Sequence, residues 1–235
     1  MLPMVQAPSF ITKLPSTGVE IKYRPFLVKE EKVLLMALEG QDQKEIMNAV
    51  FNIVSECIIT NINANEISTF DLEYLFLKLR GKSVGEIIEL TVGHQGNTDC
   101  DGKSKVSINI DDIEVQGKIE NGKIMIDDDV GVKMRYPNIT DMEKIQTAVQ
   151  KDSISSTFEV ISMCTQYIFD RDNVYNDYTD KELESWYENL SQQQFEKISN
   201  FFSNVPKLAH DIYWTCPKCG ESETIHLEGM ESFFT

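Results

Sequence analysis

Basic side chains are scarce in this chain. Its 235 residues carry 22 Lys and Arg against 38 Asp and Glu, a formal charge of −16. A field of that sign opposes unspecific binding to nucleic-acid phosphates or anionic lipid, so neither is expected as a partner. Long apolar runs are missing as well, and none approaches the ~20 residues that a membrane span needs. The opening Met1-Leu-Pro-Met-Val-Gln-Ala-Pro-Ser-Phe10 has neither a basic n-region nor a long apolar core, so no secretory signal is expected. Cysteine and histidine are few, five and three. An odd cysteine count without a signal reads as a chain kept reduced, which argues against a disulfide framework.

Signs of catalysis are also lacking. His94, His210 and His226 have no Ser or Cys beside them in a nucleophile-elbow or comparable setting. The acidic residues are scattered without a local pair in apolar surroundings, so an enzyme is not expected. Three short strings imitate ligand sites. Arg80-Gly81-Lys82-Ser83 lacks the upstream glycine of a phosphate loop and follows a helix, so it reads as a helix end. Asp127-Asp128-Asp129 would splay on an extended chain, and a solvated loop is expected. Asp170 to Asp177 starts like a calcium loop but has Val174 and Lys181 where ligands belong.

What is present is Cys216-Pro217-Lys218-Cys219-Gly220. Two thiolates separated by two residues in a tight turn can face one tetrahedral ion. Pro217 presets the turn, and Gly220 can take the positive φ as the chain reverses. Strand-like His210–Thr215 and Glu223–Glu228 flank the motif, so it forms a knuckle and half of a metal site. Cys57 and Cys164 lie in apolar helical runs and read as small buried hydrophobes. Cys100 and His94 are left as the other candidate ligands. They occupy the turn Gly93-His-Gln-Gly-Asn-Thr-Asp-Cys-Asp-Gly102, again between two strand-like runs. Stacking the hairpins would give a ribbon-like Cys216/Cys219/Cys100/His94 site for a structural zinc ion. The alternative is a bare hairpin with reduced thiols.

At 41% hydrophobic the chain can bury one sizeable core or two small ones. Residues 1–18, punctuated by Pro3, Pro8 and Pro15, read as an N-terminal arm. Its prolines block regular structure, and Leu2, Met4, Val5, Phe10 and Ile11 could dock on a partner. A strand and helices are expected over 19–85, with a strand at Val19–Arg24 and helices at Lys29–Leu38 (stopped by Gly40), Gln43–Ile59 and from Ser68 to Gly81. Residues 86–137 are expected to be β-rich. Asn121-Gly122 is a hairpin signal between Ile113–Ile119 and Lys123–Asp127. Residues 138–205 are expected to be helical, over Ile139–Gln150 and Ser155–Phe169. Two further helices should follow the capping boxes at Thr179/Glu182 and Ser191/Gln194. Residues 206–235 then form the Cys-x-x-Cys hairpin, packing on the β-rich region. The fold class is α+β: a central antiparallel β-rich region with a C-terminal zinc-ribbon-like hairpin, flanked by helical segments on both sides.

Several strings carry a family likeness. Leu14-Pro-Ser-Thr-Gly-Val-Glu-Ile-Lys-Tyr-Arg-Pro-Phe-Leu-Val-Lys-Glu-Glu-Lys-Val-Leu-Leu-Met-Ala37 resembles the opening of the T4-type phage baseplate protein family, in its hub assembly group. The likeness continues through Asp71–Glu86 and Val130–Pro137, and ends in the knuckle with Gly229–Phe234. In that family the loop holding His94 and Cys100 tends to carry its own Cys-x-x-Cys, which is absent here. The resemblance implies a tail baseplate hub component, or a chaperone for hub or tape-measure proteins. Its partners would be those proteins, met in the host cytoplasm during assembly; an assembly factor would leave before the virion is complete, and a hub component would stay in the virion tail baseplate. From the residues alone, a zinc-ribbon adaptor with a host-directed or regulatory role is the alternative, and a metallohydrolase a third reading.

Overall fold

A computed structural model describes residues 3, 5–96, 99–149 and 153–233. Leu2 and Met4 of the expected arm lie outside the described residues, as do Gln150 and Phe234. In chain order the elements begin with β1 (Phe10–Lys13), β2 (Glu20–Tyr23), α1 (Val28–Gly40), α2 (Gln43–Cys57) and α3 (Thr69–Ser83). Then come β3 (Ile87–Gly93), β4 (Lys103–Asn109), β5 (Glu114–Gln116), β6 (Lys123–Met125) and β7 (Gly131–Met134). Helices α4 (Ile139–Val149) and α5 (Ser153–Cys164) lead to β8 (Thr165–Phe169) and β9 (Val174–Tyr175). The chain closes with α6 (Asp180–Glu188), α7 (Gln192–Ser203), β10 (Lys207–Thr215) and β11 (Ser222–Glu228). Every sheet is antiparallel and the helices stand in blocks, the α+β class expected.

Two compact units result. Met1–Ala64, Phe70–Gln116 and Lys207–Thr235 form the first, and Asn65–Thr69 with Gly117–Pro206 form the second. The stretch 86–137 supplies strands to both.

In the first unit β1 pairs with β2, Phe10 opposite Tyr23. The expected arm therefore ends in a strand, because a turn from Leu14 to Val19, with Gly18 at φ +71°, folds Phe10–Lys13 back. Helix α1 opens on Glu30, whose carboxylate accepts the Leu27 amide at 2.7 Å and the Arg24 guanidinium at 2.9 Å. Gly40 stays helical, and the left-handed terminating residue is Gln41 at φ 54°. Asp42 caps α2 by accepting from the amides of Lys44 and Glu45, and Val50, Ile53, Val54 and Cys57 are buried along it. Helix α3 runs past Gly81 to Ser83, whose hydroxyl donates to the Leu79 carbonyl.

Strand β3 alternates as a half-buried strand should, with Ile88, Leu90 and Val92 inward. It pairs with β4 from Ile87↔Asn109 to Gly93↔Lys103. A second ribbon pairs β10 with β11, from Ala209↔Glu228 to Thr215↔Ser222. The inner faces of both ribbons share one core with Leu77 of α3, including Ile108, Ile212, Trp214, Ile225 and Phe233. Burying each such side chain stabilises the unit by about 1.5–3 kcal/mol. The Asn121-Gly122 hairpin does not form. Gly117 at φ +109° turns the chain after β5, and β5 pairs with β10 instead, Lys207 opposite Gln116. Gly122, at φ +71°, offers its carbonyl to the Met134 amide, and β6 pairs with β7.

The second unit holds the sheet β6-β7-β8-β9. Its core includes Val132, Met134, Ile161, Cys164, Tyr187, Ile198 and Phe201. The helix expected to reach Phe169 ends at Cys164. Thr165-Gln-Tyr-Ile-Phe169 is rich in residues that suit a pleated surface, and it becomes β8 against β7. Both capping boxes form, at Thr179/Glu182 and Ser191/Gln194. Asp127 and Asp170 fold their own loops, each accepting amide donors two and three residues on. Those carboxylates therefore serve the turns.

Arg135 and the buried Asp141 make a two-pronged pair at 2.5 and 3.0 Å, and Asp141 also accepts the Asn138 amide. Burial pushes the Asp141 carboxyl up, but the Arg135 guanidinium and the Asn138 amide outweigh it and hold it below the usual range. Its stabilisation is present above the unfolded carboxylate value of about 4 and is lost as pH falls through the lower folded value. Asp141→Asn should cost about 3 kcal/mol or more in urea unfolding at neutral pH, since Arg135 is left unpaired. The variant should also lose part of its stability decline between pH 5 and pH 2. A wild-type acid limb retained in full by the variant would contradict this role.

Candidate metal centre

The two ribbons end side by side. His94 follows the last paired residue of β3, and Cys216 follows the last of β10. Cys100 lies in the β3–β4 loop and Cys219 in the β10–β11 knuckle. All four expected ligands come together, with their ligand atoms within 4.8 Å of one another. The Cys100 and Cys216 sulfurs are 3.7 Å apart, and the Cys219 sulfur lies 3.3 Å from His94 Nε2. Thiolates bound tetrahedrally at ~2.3 Å have a sulfur–sulfur edge of about 3.8 Å, and a thiolate–imidazole edge is slightly shorter. These two spacings match such edges, and the cluster could hold one metal ion.

Local geometry explains the arrangement. The Cys216 amide donates to the Glu221 carbonyl at 2.8 Å, and the Gly220 amide donates to the Cys216 carbonyl at 3.0 Å. Gly220, at φ +76°, takes the conformation the reversal needs. The Lys218 amide points at the Cys216 sulfur, 3.4 Å away. Across the site, Gly102 is where the loop backbone passes the knuckle. A Cβ there would run into the Cys216 sulfur, with Lys218 Cβ at 3.0 Å and the Cys100 sulfur at 3.4 Å. Only glycine lets the two loops approach this closely.

A supporting shell surrounds the ligands. His94 Nδ1 lies 2.5 Å from a Glu223 carboxylate oxygen, and the His94 side chain is 2% exposed. That contact faces Nδ1 toward the carboxylate and Nε2 toward the three sulfurs, the orientation in which a metal would take Nε2. Glu223 sits opposite Trp214 across β10 and β11. The Trp214 ring meets His94 edge-on at 5.0 Å, and its Nε1 donates to Ser104 of β4 at 2.7 Å. Lys218 and Asp101 pair across the two loops at the surface, where screening leaves little stabilisation.

The two knuckle thiols shift in opposite directions: the Glu221 amide lowers Cys219, but burial and the contacts to Cys216 and Cys100 outweigh it and raise that thiol. Burial disfavours the Cys216 thiolate, but the Cys219 and Lys218 amides and the Cys219 and Cys100 thiols favour it, bringing the thiol down to about 6. Burial also disfavours a charged His94, and contacts to Cys216 and Glu223 overcome it, raising the imidazole. By contrast, burial pushes Cys57 up to about 11 and Cys164 up to about 12. These two are inert core thiols, as expected of them.

Gly102, Glu223 and Trp214 were not singled out by sequence reasoning. The Cys100-Asp101-Gly102 turn carried a signal for the first. Glu223 and Trp214 read only as strand residues, and their role depends on register.

Residues 7–235 match the model of a protein family described as T4 bacteriophage base plate protein. No curated protein and no solved structure matches the chain.

Cobalt(II) offers a visible probe of the site. The reduced chain should bind one equivalent with a thiolate-to-metal charge-transfer band. Gly102→Ala and Cys216→Ser should lose that band, and Glu223→Gln should weaken binding by about tenfold or more, as outer-shell changes do. Wild-type protein that takes up no cobalt, or a Gly102→Ala variant that binds it unchanged, would contradict the assembled site.

Proposed function

Because the chain belongs to the T4 bacteriophage base plate protein family, we propose that it acts through protein–protein contacts in building the central hub of the tail baseplate. It serves there as a hub component or as a chaperone for hub or tape-measure proteins, in the host cytoplasm during assembly and, as a hub component, in the tail baseplate. The family match over nearly the whole chain carries this reading. Among the described residues no helix is long and apolar enough to cross a membrane, and the charge of −16 disfavours nucleic acid.

The metal in this reading is zinc with a structural role. Three sulfurs and one imidazole nitrogen at tetrahedral spacing suit zinc among the common divalent ions. A set of four protein ligands leaves no position for a substrate or an activated water, which supports a non-enzymatic role. Cys100, Cys216, Cys219 and His94 would hold the ion, with Glu223 orienting His94.

Elemental analysis of protein purified without chelator should give about one zinc per chain. Mass spectrometry of purified tails and of baseplate intermediates from the same infected cells tests the role itself. Presence in intermediates alone identifies an assembly factor, and presence in both identifies a hub subunit. Absence from both, with pulldowns that recover only host proteins, would replace the hub role with the host-directed adaptor.

A further inference from the structure

Helix α1 carries two apolar faces. Glu30, Leu34 and Ala37 are buried on one side. On the other, Val28 is 80% exposed, Leu35 54% and Met36 63%, with Lys32 and Glu39 exposed among them. Positions 28, 32, 35, 36 and 39 fall on one stripe at helical spacing. The neighbouring Lys29 and Arg24 are both paired with Glu30, at 3.2 and 2.9 Å. Among the described residues Lys32 and Glu39 make no ion pair within the chain.

The order of these residues is self-complementary. An antiparallel two-fold placed between Leu35 and Met36 sets this apolar pair against the same pair of a second copy. The same operation brings Lys32 opposite Glu39 of that copy, twice by symmetry. The apolar centre is thereby closed at both ends by opposite charges, as an isologous contact requires. No other occupant is specified by this pattern of one cation and one anion about an apolar pair.

We infer that the outer face of α1 is a homodimer contact, built on Leu35 and Met36 and set in register by Lys32 and Glu39. One helix from each copy makes a small interface, so the association is concentration-dependent. Two copies of charge −16 also repel, which makes physiological ionic strength, with a Debye length of about 8 Å, the proper condition. The contact does not depend on the tail role or on the metal.

Sedimentation velocity of the full chain over a range of concentrations reads the effect. Wild-type protein should shift from monomer to dimer as concentration rises. Met36→Asp should weaken that equilibrium by about tenfold or more, because a carboxylate is buried without a partner. Lys32→Glu should also weaken it, by setting like charges opposite each other. The double variant Lys32→Glu/Glu39→Lys should restore it. Unchanged circular dichroism shows that these surface variants remain folded. A wild-type chain that stays monomeric, or a Lys32→Glu variant that associates as before, overturns the inference. A photo-crosslinker at position 36 that traps another baseplate protein and no second copy assigns the face to that partner and also overturns it.

Discussion

The four-ligand cluster joins parts of the chain that local structure cannot hold together. Cys100 and Cys216 stand 116 residues apart in sequence and 3.7 Å apart in space. Each lies at the tip of an antiparallel hairpin, and an isolated hairpin is marginal in water. The shared core under β3, β4, β10 and β11 supplies most of the burial, and a metal at the ribbon tips would fix their register and spacing. A cross-link closing a loop of about a hundred residues removes unfolded-chain entropy worth about 4–5 kcal/mol in the polymer estimate. That is a large fraction of the stability of an ordinary domain. The tight pass at Gly102 shows how closely the loops must approach for the ligands to meet.

The route of the chain depends on the same ribbons. It leaves the first unit after Gln116 and re-enters at Lys207, and these residues are paired neighbours on β5 and β10. The segment Gly117–Pro206 therefore departs and returns at paired strands, and with Asn65–Thr69 it makes the second unit, whose core includes Tyr187 and Met134.

Features encoded by neighbours along the chain were legible in the sequence. The Cys-Pro-Lys-Cys-Gly knuckle, the capping boxes at Thr179 and Ser191, and the stripe of Val50, Ile53, Val54 and Cys57 each declare themselves within a few residues. The ligand set was legible by elimination, because few cysteines and histidines were available. Features decided by distant pairing were not. Asn121-Gly122 looks like a hairpin turn, but β5 gains more by adding to β10 and its core face. Thr165–Phe169 continues a helical run by pattern, and β7 draws it into a sheet. Glu223 gains its role only because register sets it beside Trp214 and His94.

Whether the cluster ties the two ribbons into one unit can be read by hydrogen exchange of the metal-loaded and chelator-stripped chain, resolved by peptide. Amides of β3, β4, β10 and β11 should lose protection when the metal is removed, while β7 and β8 of the second unit keep theirs. Equal protection of β3, β4, β10 and β11 in both forms would contradict it.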